Sequence, residues 1–166
     1  MPVSSFDDAG AFHRAMRRLA ATKAGRTLFR PTAHRLDQIL SKLTAGKYSF
    51  AGVAAGLPSV ILTTTGAKSG QPGTVALLGI PHPDGVAVVA ANYGDEKHPG
   101  WYYNLKANPA AMVVIEGDKW TATARLSNPD ERQAIWSRGV AIYPGLAKEQ
   151  EWAGDRRIEA FILERR

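Results

Sequence analysis

The stretch Ser59-Val-Ile-Leu-Thr-Thr-Thr65-Gly66-Ala-Lys-Ser-Gly-Gln-Pro-Gly73-Thr74-Val-Ala-Leu-Leu-Gly-Ile80-Pro-His-Pro-Asp-Gly85-Val86-Ala-Val-Val-Ala-Ala91 decides the fold. It holds three short runs rich in β-branched and small apolar residues, at 59–65, 74–80 and 86–91, separated by glycine and proline, and this pattern predicts strands. A Gly-rich loop over 66–73 joins the first two, and Pro83-Asp84-Gly85 joins the second and third, making a meander. Downstream, Met112 to Glu116 and Trp120 to Leu126 predict a hairpin turned at Gly117-Asp118. Asn128-Pro-Asp-Glu131 has the form of a capping box with proline at the first helical position, and opens a helix towards Tyr143. Pro144 interrupts that helix, and Arg157 to Glu164 predicts a closing strand with apolar residues on both faces. His98 to Pro109 predicts a short helix with Pro99 in its first turn. Five or six strands around few helices imply a closed or nearly closed antiparallel barrel, a mainly β member of the α+β class.

The chain has 166 residues, enough for one compact domain, so any site is built within a single fold or across a subunit interface. Upstream of the strands, Phe12, Met16, Leu19 and Ala20 recur at helical spacing among Arg14, Arg17, Arg18 and Lys23. They predict a basic amphipathic helix from Asp8 to about Lys23, capped by Asp7 and stopped by Gly25. A second helix is expected after Thr32, with Leu36, Ile39, Leu40 and Leu43 on one face and Gly46 at its end. The net charge is +6, and the whole excess lies in residues 1–50, which carry nine basic and three acidic side chains. Such a helix ahead of a folded domain suits weak contact with an anionic membrane. The other expectation is an arm docked on the barrel with Phe12, Met16 and Leu19 inside. Nucleic-acid binding rests on charge alone and is not expected, because the aromatic residues lie elsewhere in the chain. Met1 to Gly10 lacks a basic start followed by an apolar run, so a cytoplasmic protein is expected, peripheral at most to the inner face of the plasma membrane.

Several chemistries are excluded or unsupported. There is no cysteine, which rules out disulfides, thiolate metal sites and a cysteine nucleophile. The 66–73 loop lacks P-loop spacing and lies between two strands, and no dinucleotide-binding fingerprint or Gly-x-Ser-x-Gly elbow occurs. His13, His34, His82 and His98 are scattered, so no metal site is expected. Two segments remain. The 66–73 loop can converge backbone N–H groups on an anion, with Lys68 adding charge, or can be an ordinary hairpin loop. Trp101, Tyr102, Tyr103 and Asn104 cannot all face a core from one helix, so one or two can line a pocket.

These two segments, Ile61 to Pro72 and His98 to Pro109, resemble the two signature stretches of the deazaflavin-dependent nitroreductase family, whose cofactor is coenzyme F420. Tyr143-Pro144, the closing strand, and Leu36-Asp37 followed by Leu43-Thr-Ala-Gly46 are similar in order and spacing, so the resemblance spans roughly residues 33–166. It implies a split β-barrel related to flavin-reductase folds, formed by residues 31–166, with residues 1–30 as a helical arm. It also implies hydride transfer from reduced F420 to a small, hydrophobic, electron-poor acceptor such as a nitroaromatic, quinone or enone. The alternative is a non-catalytic member of the same barrel that binds a fatty acid, flavin or haem-like molecule. Monomer and homodimer both remain open.

By the same resemblance, Lys68 and Ser69 match the positions that hold the cofactor's phosphate and γ-glutamyl tail. Thr74, Val75, Ala76, Leu77 and Leu78 match the strand beside the ring system, and Ala90, Ala91, Asn92 and Tyr93 match the next strand end. Gly100, Trp101 and Asn104 match the helix on the other side. Tyr143 matches a tyrosine at the substrate end, where it binds or protonates the acceptor or merely packs. Small residues at Ala76, Ala90 and Ala91 would leave space for a flat ring. The chain departs from the family at Ala67 and Gly73, where arginines are usual, and at Ala76, where proline is usual; Lys47, Lys97 and Lys106 are the candidate replacements for the missing cations. Leu146 and Glu149 stand where the nitroreductase branch has further tyrosines.

Overall fold

The computed structural model describes residues 10–24, 27 and 56–166. Seven strands form one antiparallel sheet: β1 (Ser59–Thr65), β2 (Pro72–Leu78), β3 (Ile80–His82), β4 (Gly85–Val89), β5 (Ala110–Ile115), β6 (Asp118–Leu126) and β7 (Ala160–Arg165). The helices with described bounds are α1 (Ala11–Ala20), α2 (Gly100–Ala107), α3 (Pro129–Ile142) and α4 (Gly145–Trp152), with a 3-10 turn at Asn92–Gly94.

The strand order is β2-β1-β5-β6-β7-β4-β3, so the two edge strands are consecutive in the chain and separated by Gly79 alone. One length of chain therefore starts on one edge of the sheet and ends on the other, which forces the sheet to curl until its edges meet. The expected run over 74–80 is this feature, divided at its joint. The Gly79 N–H donates to the Pro58 carbonyl at 2.8 Å, and a Cβ built at Gly79 would lie 2.6 Å from Val60 Cγ2 and 3.4 Å from Val86 Cγ2. The architecture is the split β-barrel.

Alternation along the strands produces two cores. Val60, Leu62, Val86, Val88, Val113, Phe161 and Leu163 point into the barrel, where α2 adds Trp101, Tyr102 and Leu105 as a plug. Ala87, Val89, Ala160 and Ile162 point outward and pack beneath α3 and α4 with Ile135, Leu146 and Ile158. This double burial is why the closing strand is apolar on both faces.

The capping box forms as expected: Asn128 Oδ1 accepts from the Glu131 N–H, and Glu131 Oε2 accepts from the Asn128 N–H, each at 2.9 Å. Arg125 Nη1 donates to the same Glu131 carboxylate at 2.8 Å, and these bonds, Arg125 first, hold its pKa down to about 2. Two expectations shift. The hairpin turns at Glu116-Gly117, both with positive φ, rather than at Gly117-Asp118. After Pro144 the chain forms α4, which its sequence conceals because Gly-Leu-Ala-Lys-Glu-Gln-Glu-Trp carries little helical periodicity.

The N-terminal helix is present but shorter than expected, capped by Gly10 rather than Asp7 and ended at Ala20 rather than Gly25. Its docking differs from the expected arm. Arg17 is 1% exposed, donating to the Ile142 carbonyl at 2.9 Å and the Gly56 carbonyl at 2.7 Å, while Phe12 and Leu19 face outward at 67% and 45%. The C-terminal end of α3 offers an unpaired carbonyl that a guanidinium satisfies and a leucine does not. The helix expected after Thr32, Lys47, and the boundary at residue 30 lie outside the described residues. No helix among the described residues is long and apolar enough to cross a membrane.

Candidate active site

A cavity of about 430 Å³ opens between three walls. The first is β2 with Leu57 and Pro58, the second is the end of β4 with the 3-10 turn, Pro99 and Trp101, and the third is the α3–α4 junction with Tyr143, Leu146 and Glu149. A volume of this size accommodates a small organic ligand.

The β2 wall contributes Val75, Ala76, Leu77 and Leu78. Because β2 is a terminal strand of the sheet, its edge away from β1 leaves backbone N–H and C=O groups without a ladder partner. Beside them Ala76 removes bulk. An edge of alternating donors and acceptors next to a shallow apolar surface fits a planar heterocycle bearing carbonyls and ring N–H groups, so the residues present suit a deazaflavin ring.

The second wall is built on strained backbone. Ala91 leaves β4, and Asn92, Tyr93 and Gly94 then follow with φ of 52°, 54° and 67°. Left-handed geometry is costly for the first two. At Gly94 it is accompanied by crowding, since a Cβ would lie 2.6 Å from the Glu149 carbonyl oxygen and 2.7 Å from Trp152 Cβ. Arg156 holds this turn. Its guanidinium donates to the carbonyls of Asp95 at 2.8 Å, Ala90 at 2.8 Å and Ala91 at 2.7 Å, and Nη1 lies 3.3 Å from His98 Nδ1. Burial and, next, the Arg156 charge lower the pKa of His98, whose ring stacks on Tyr102 at 3.9 Å.

On the third wall Tyr143 closes α3, its N–H donating to the Gly139 carbonyl at 2.8 Å. Its phenol is buried, and burial, then the charges of Glu149 and Tyr93, raise its pKa well above that of a free tyrosine. The hydroxyl is therefore protonated at physiological pH and available as a donor.

The cavity thus gathers Val75, Ala76, Leu77, Leu78, Ala91, Asn92, Tyr93, Trp101 and Tyr143 from distant parts of the chain. Other expected site residues lie elsewhere. Ala67, Lys68 and Ser69 form an exposed turn beyond the cavity, closed by the Gly70 N–H to the Gly66 carbonyl at 2.8 Å, and Ser69 Oγ accepts from the Gln71 N–H at 3.2 Å. Gly73 and Thr74 are exposed at the start of β2, with Thr74 Oγ1 2.9 Å from Thr63 Oγ1. Ala90 points into the barrel core, and Gly100 is exposed at the start of α2. Asn104 joins the two signature segments: Oδ1 accepts from the Ala67 N–H at 2.9 Å and Nδ2 donates to Thr64 Oγ1 at 3.0 Å. Of the candidate replacement cations, Lys97 is exposed and Lys106 Nζ sits 5.5 Å from the Tyr102 ring centroid.

The sequence reading missed Arg156 and Arg17. Both bond to backbone carbonyls, which leave no signature of residue type at the acceptor.

Comparison with known proteins agrees with this geometry. Residues 37–165 match the family "F420H(2)-dependent quinone reductase". The F420H(2)-dependent quinone reductase Rv1261c of Mycobacterium tuberculosis is 40% identical over 74 residues, which cover 45% of this chain and 50% of that protein. Among solved structures, an F420-H2 dependent reductase (FDR-A) is 42% identical with a TM-score of 0.59, covering 64% of this chain and 94% of its own. Another, a domain-swapped dimer, is 35% identical with a TM-score of 0.57, covering 76% and 95%. A planar-ring pocket on an exposed strand edge and a match over most of the chain lead to one conclusion: the protein belongs to the F420H(2)-dependent quinone reductase family, is an F420H2-dependent reductase, and has coenzyme F420 as its cofactor.

Proposed function

We propose that the enzyme reduces a small, hydrophobic, electron-poor acceptor, with a quinone as the first choice and nitroaromatics or enones as related substrates. The observation that carries this reading is the pairing of walls: β2, a terminal strand of the sheet, and Tyr143 line one cavity, which supports a flat cofactor ring and a flat acceptor stacking between them. Reduced F420 supplies the hydride. Reduction of a quinone to a hydroquinone takes that hydride and one proton. Tyr143 donates a hydrogen bond to the acceptor oxygen on which charge develops. In this reading Val75 to Leu78 lie beside the ring, with Ala91, Asn92, Tyr93, Gly100 and Trp101 on its other side. Lys68, Ser69 and the backbone of 66–73 take the anionic tail, and Asn104 fixes that loop to α2.

Titration with F420, followed by fluorescence, tests the proposal. Lys68→Ala and Asn104→Ala should each weaken binding about 10-fold, the loss of one exposed charge contact or of its support. Gly73→Arg, at a site where a Cβ meets nothing within 4 Å, should tighten it. Tyr143→Phe should leave binding intact and slow turnover on the order of 10- to 100-fold, as for a lost transition-state donor. No binding at tens of micromolar by the folded protein would sink the reading.

We further propose that α1 gives the protein peripheral contact with an anionic membrane surface, on the cytoplasmic side. Support comes from the outward Phe12 and Leu19 on a helix that also carries Arg14 and Arg18. Phe12→Ser with Leu19→Ser should abolish co-sedimentation with phosphatidylglycerol vesicles; unchanged partitioning counts against the contact. The domain-swapped relative supports a homodimer, which sedimentation of the same sample without vesicles reads directly.

A further inference from the structure

Arg17, on α1, grips the chain at two points that lie far apart in the sequence. Its Nη2 donates to the Gly56 carbonyl at 2.7 Å and its Nη1 to the Ile142 carbonyl at 2.9 Å. Each of these oxygens belongs to the peptide unit that leads into a cavity residue: Gly56–Leu57 on the first wall and Ile142–Tyr143 on the third. A peptide unit is planar and rigid, so holding its oxygen fixes the direction in which the next residue leaves it. On the Tyr143 side the plane is also held at its other end, where the Tyr143 N–H donates to the Gly139 carbonyl at 2.8 Å. The phenol ring then rests on Gly145, where a Cβ would overlap it. On the Leu57 side a second residue of α1 takes part. Gly56 has a φ of 59°, and a Cβ there would lie 2.7 Å from His13 Nδ1. A planar guanidinium keeps its two terminal nitrogens at one spacing and one angle, so Arg17 ties the two peptide units to each other as an ammonium or an amide would not.

We propose that Arg17 is a positioning residue for the reaction: it holds the Ile142–Tyr143 peptide against Gly56–Leu57 and so keeps Tyr143 in register with the acceptor. On this account α1 is a working part of the site as well as an arm on the barrel. The proposal rests on the reading of the cavity as the acceptor site and of Tyr143 as its hydrogen-bond donor. Arg17 is not among the residues that line the cavity, so it acts through Tyr143.

The test is a double-mutant cycle on the full chain with Arg17→Gln, Tyr143→Phe and the pair. The measurement is single-turnover oxidation of bound reduced F420 by the naphthoquinone menadione, read as the rate at saturating quinone. Arg17→Gln should slow that rate about 10-fold, the scale of a misplaced transition-state donor, and change F420 affinity less than about 3-fold. In the Tyr143→Phe background the same substitution should cost less than about 2-fold, because no hydroxyl is left to misplace. A merely structural loss lowers the folded fraction and multiplies through both backgrounds. Equal slowing in both backgrounds, or none in either, overturns the proposal. If Arg17→Gln does not fold, Arg17→Lys, which keeps the charge but not the fork, carries the same cycle.

Fluorotyrosine in place of Tyr143, followed by fluorine NMR without cofactor or acceptor, reads the same claim independently of activity. The wild type should give one narrow line that Arg17→Gln shifts or broadens, while fluorotyrosine in place of the half-exposed Tyr103 stays unmoved. An unchanged line at position 143 overturns the proposal. If Tyr143→Phe turns over as fast as the wild type, the reading of Tyr143 as donor falls instead, and the fluorine line alone decides whether Arg17 orders that residue.

Discussion

Arg156→Ala is expected to destabilise the protein by about 3 kcal/mol or more and to remove F420 binding with it. The size follows from the acceptors left behind. Three carbonyls lose a charged donor; that of Ala91 still accepts from the Gly94 N–H, while a partly buried carbonyl left unsatisfied costs about 1 to 3 kcal/mol, discounted where water can reach it. Two of them, Ala90 and Ala91, immediately precede the left-handed residues Asn92 and Tyr93, whose backbone strain is on the order of 1 kcal/mol each or more. Without the guanidinium the turn's own hydrogen bonds, Gly94 N–H to the Ala91 carbonyl and Asp95 N–H to the Asn92 carbonyl at 3.0 Å each, are left to oppose that strain, so the turn loosens and the second wall of the cavity moves. Arg156→Lys should recover little, because one ammonium cannot reach several divergent carbonyls as a planar fork does. Urea denaturation and F420 titration of both variants check the expectation; a loss below about 1 kcal/mol in Arg156→Ala, with binding retained, would refute it.

Gly79→Val is expected to cost at least about 3 kcal/mol, at the upper end of what overpacking does, or to prevent folding. The added carbons enter the space between Val60 and Val86, which are 0% and 3% exposed and belong to the barrel core. Both neighbours are β-branched, so neither can swing aside without leaving its rotamer. Gly79→Ala should already be destabilising, by roughly 1 to 3 kcal/mol, since its Cβ would lie 2.6 Å from Val60 Cγ2. Gly73→Ala serves as the control, because a Cβ there meets nothing within 4 Å. Equal urea midpoints for Gly79→Ala and Gly73→Ala would show that the seam is looser than its geometry implies.

Local chemistry made much of this architecture readable from residues alone. Short runs of β-branched and small apolar residues bounded by turn residues placed β1, β4 and β6, and Asn128-Pro-Asp-Glu131 placed the start of α3, because each signal is complete within a few residues. Strand order was out of reach: it depends on Gly79 drawing Val60 and Val86 together, and nothing near Gly79 encodes who its neighbours are. Val75 to Leu78 and Trp101, singled out by the family resemblance, do line one cavity. Arg17 was read as part of a solvated basic face, yet the carbonyls of Ile142 and Gly56 draw it inward and turn Phe12 and Leu19 out. Asn104 was assigned to the cofactor by resemblance, and its two hydrogen bonds add a structural duty, that of tying the 66–73 loop to α2.

The single length of chain that runs from β2 through Gly79 into β3 has a consequence for how such an enzyme can be altered. The same residues that line one side of the cavity also close the barrel, so changing Leu77 or Leu78 to admit a new acceptor perturbs the seam that keeps the domain folded. The opposite side, at Leu146 and Glu149, belongs to a helix appended outside the sheet. Reshaping of acceptor preference is therefore cheapest on α4, and a library confined to positions 146 and 149 should yield more folded variants with altered selectivity than one of equal size on β2.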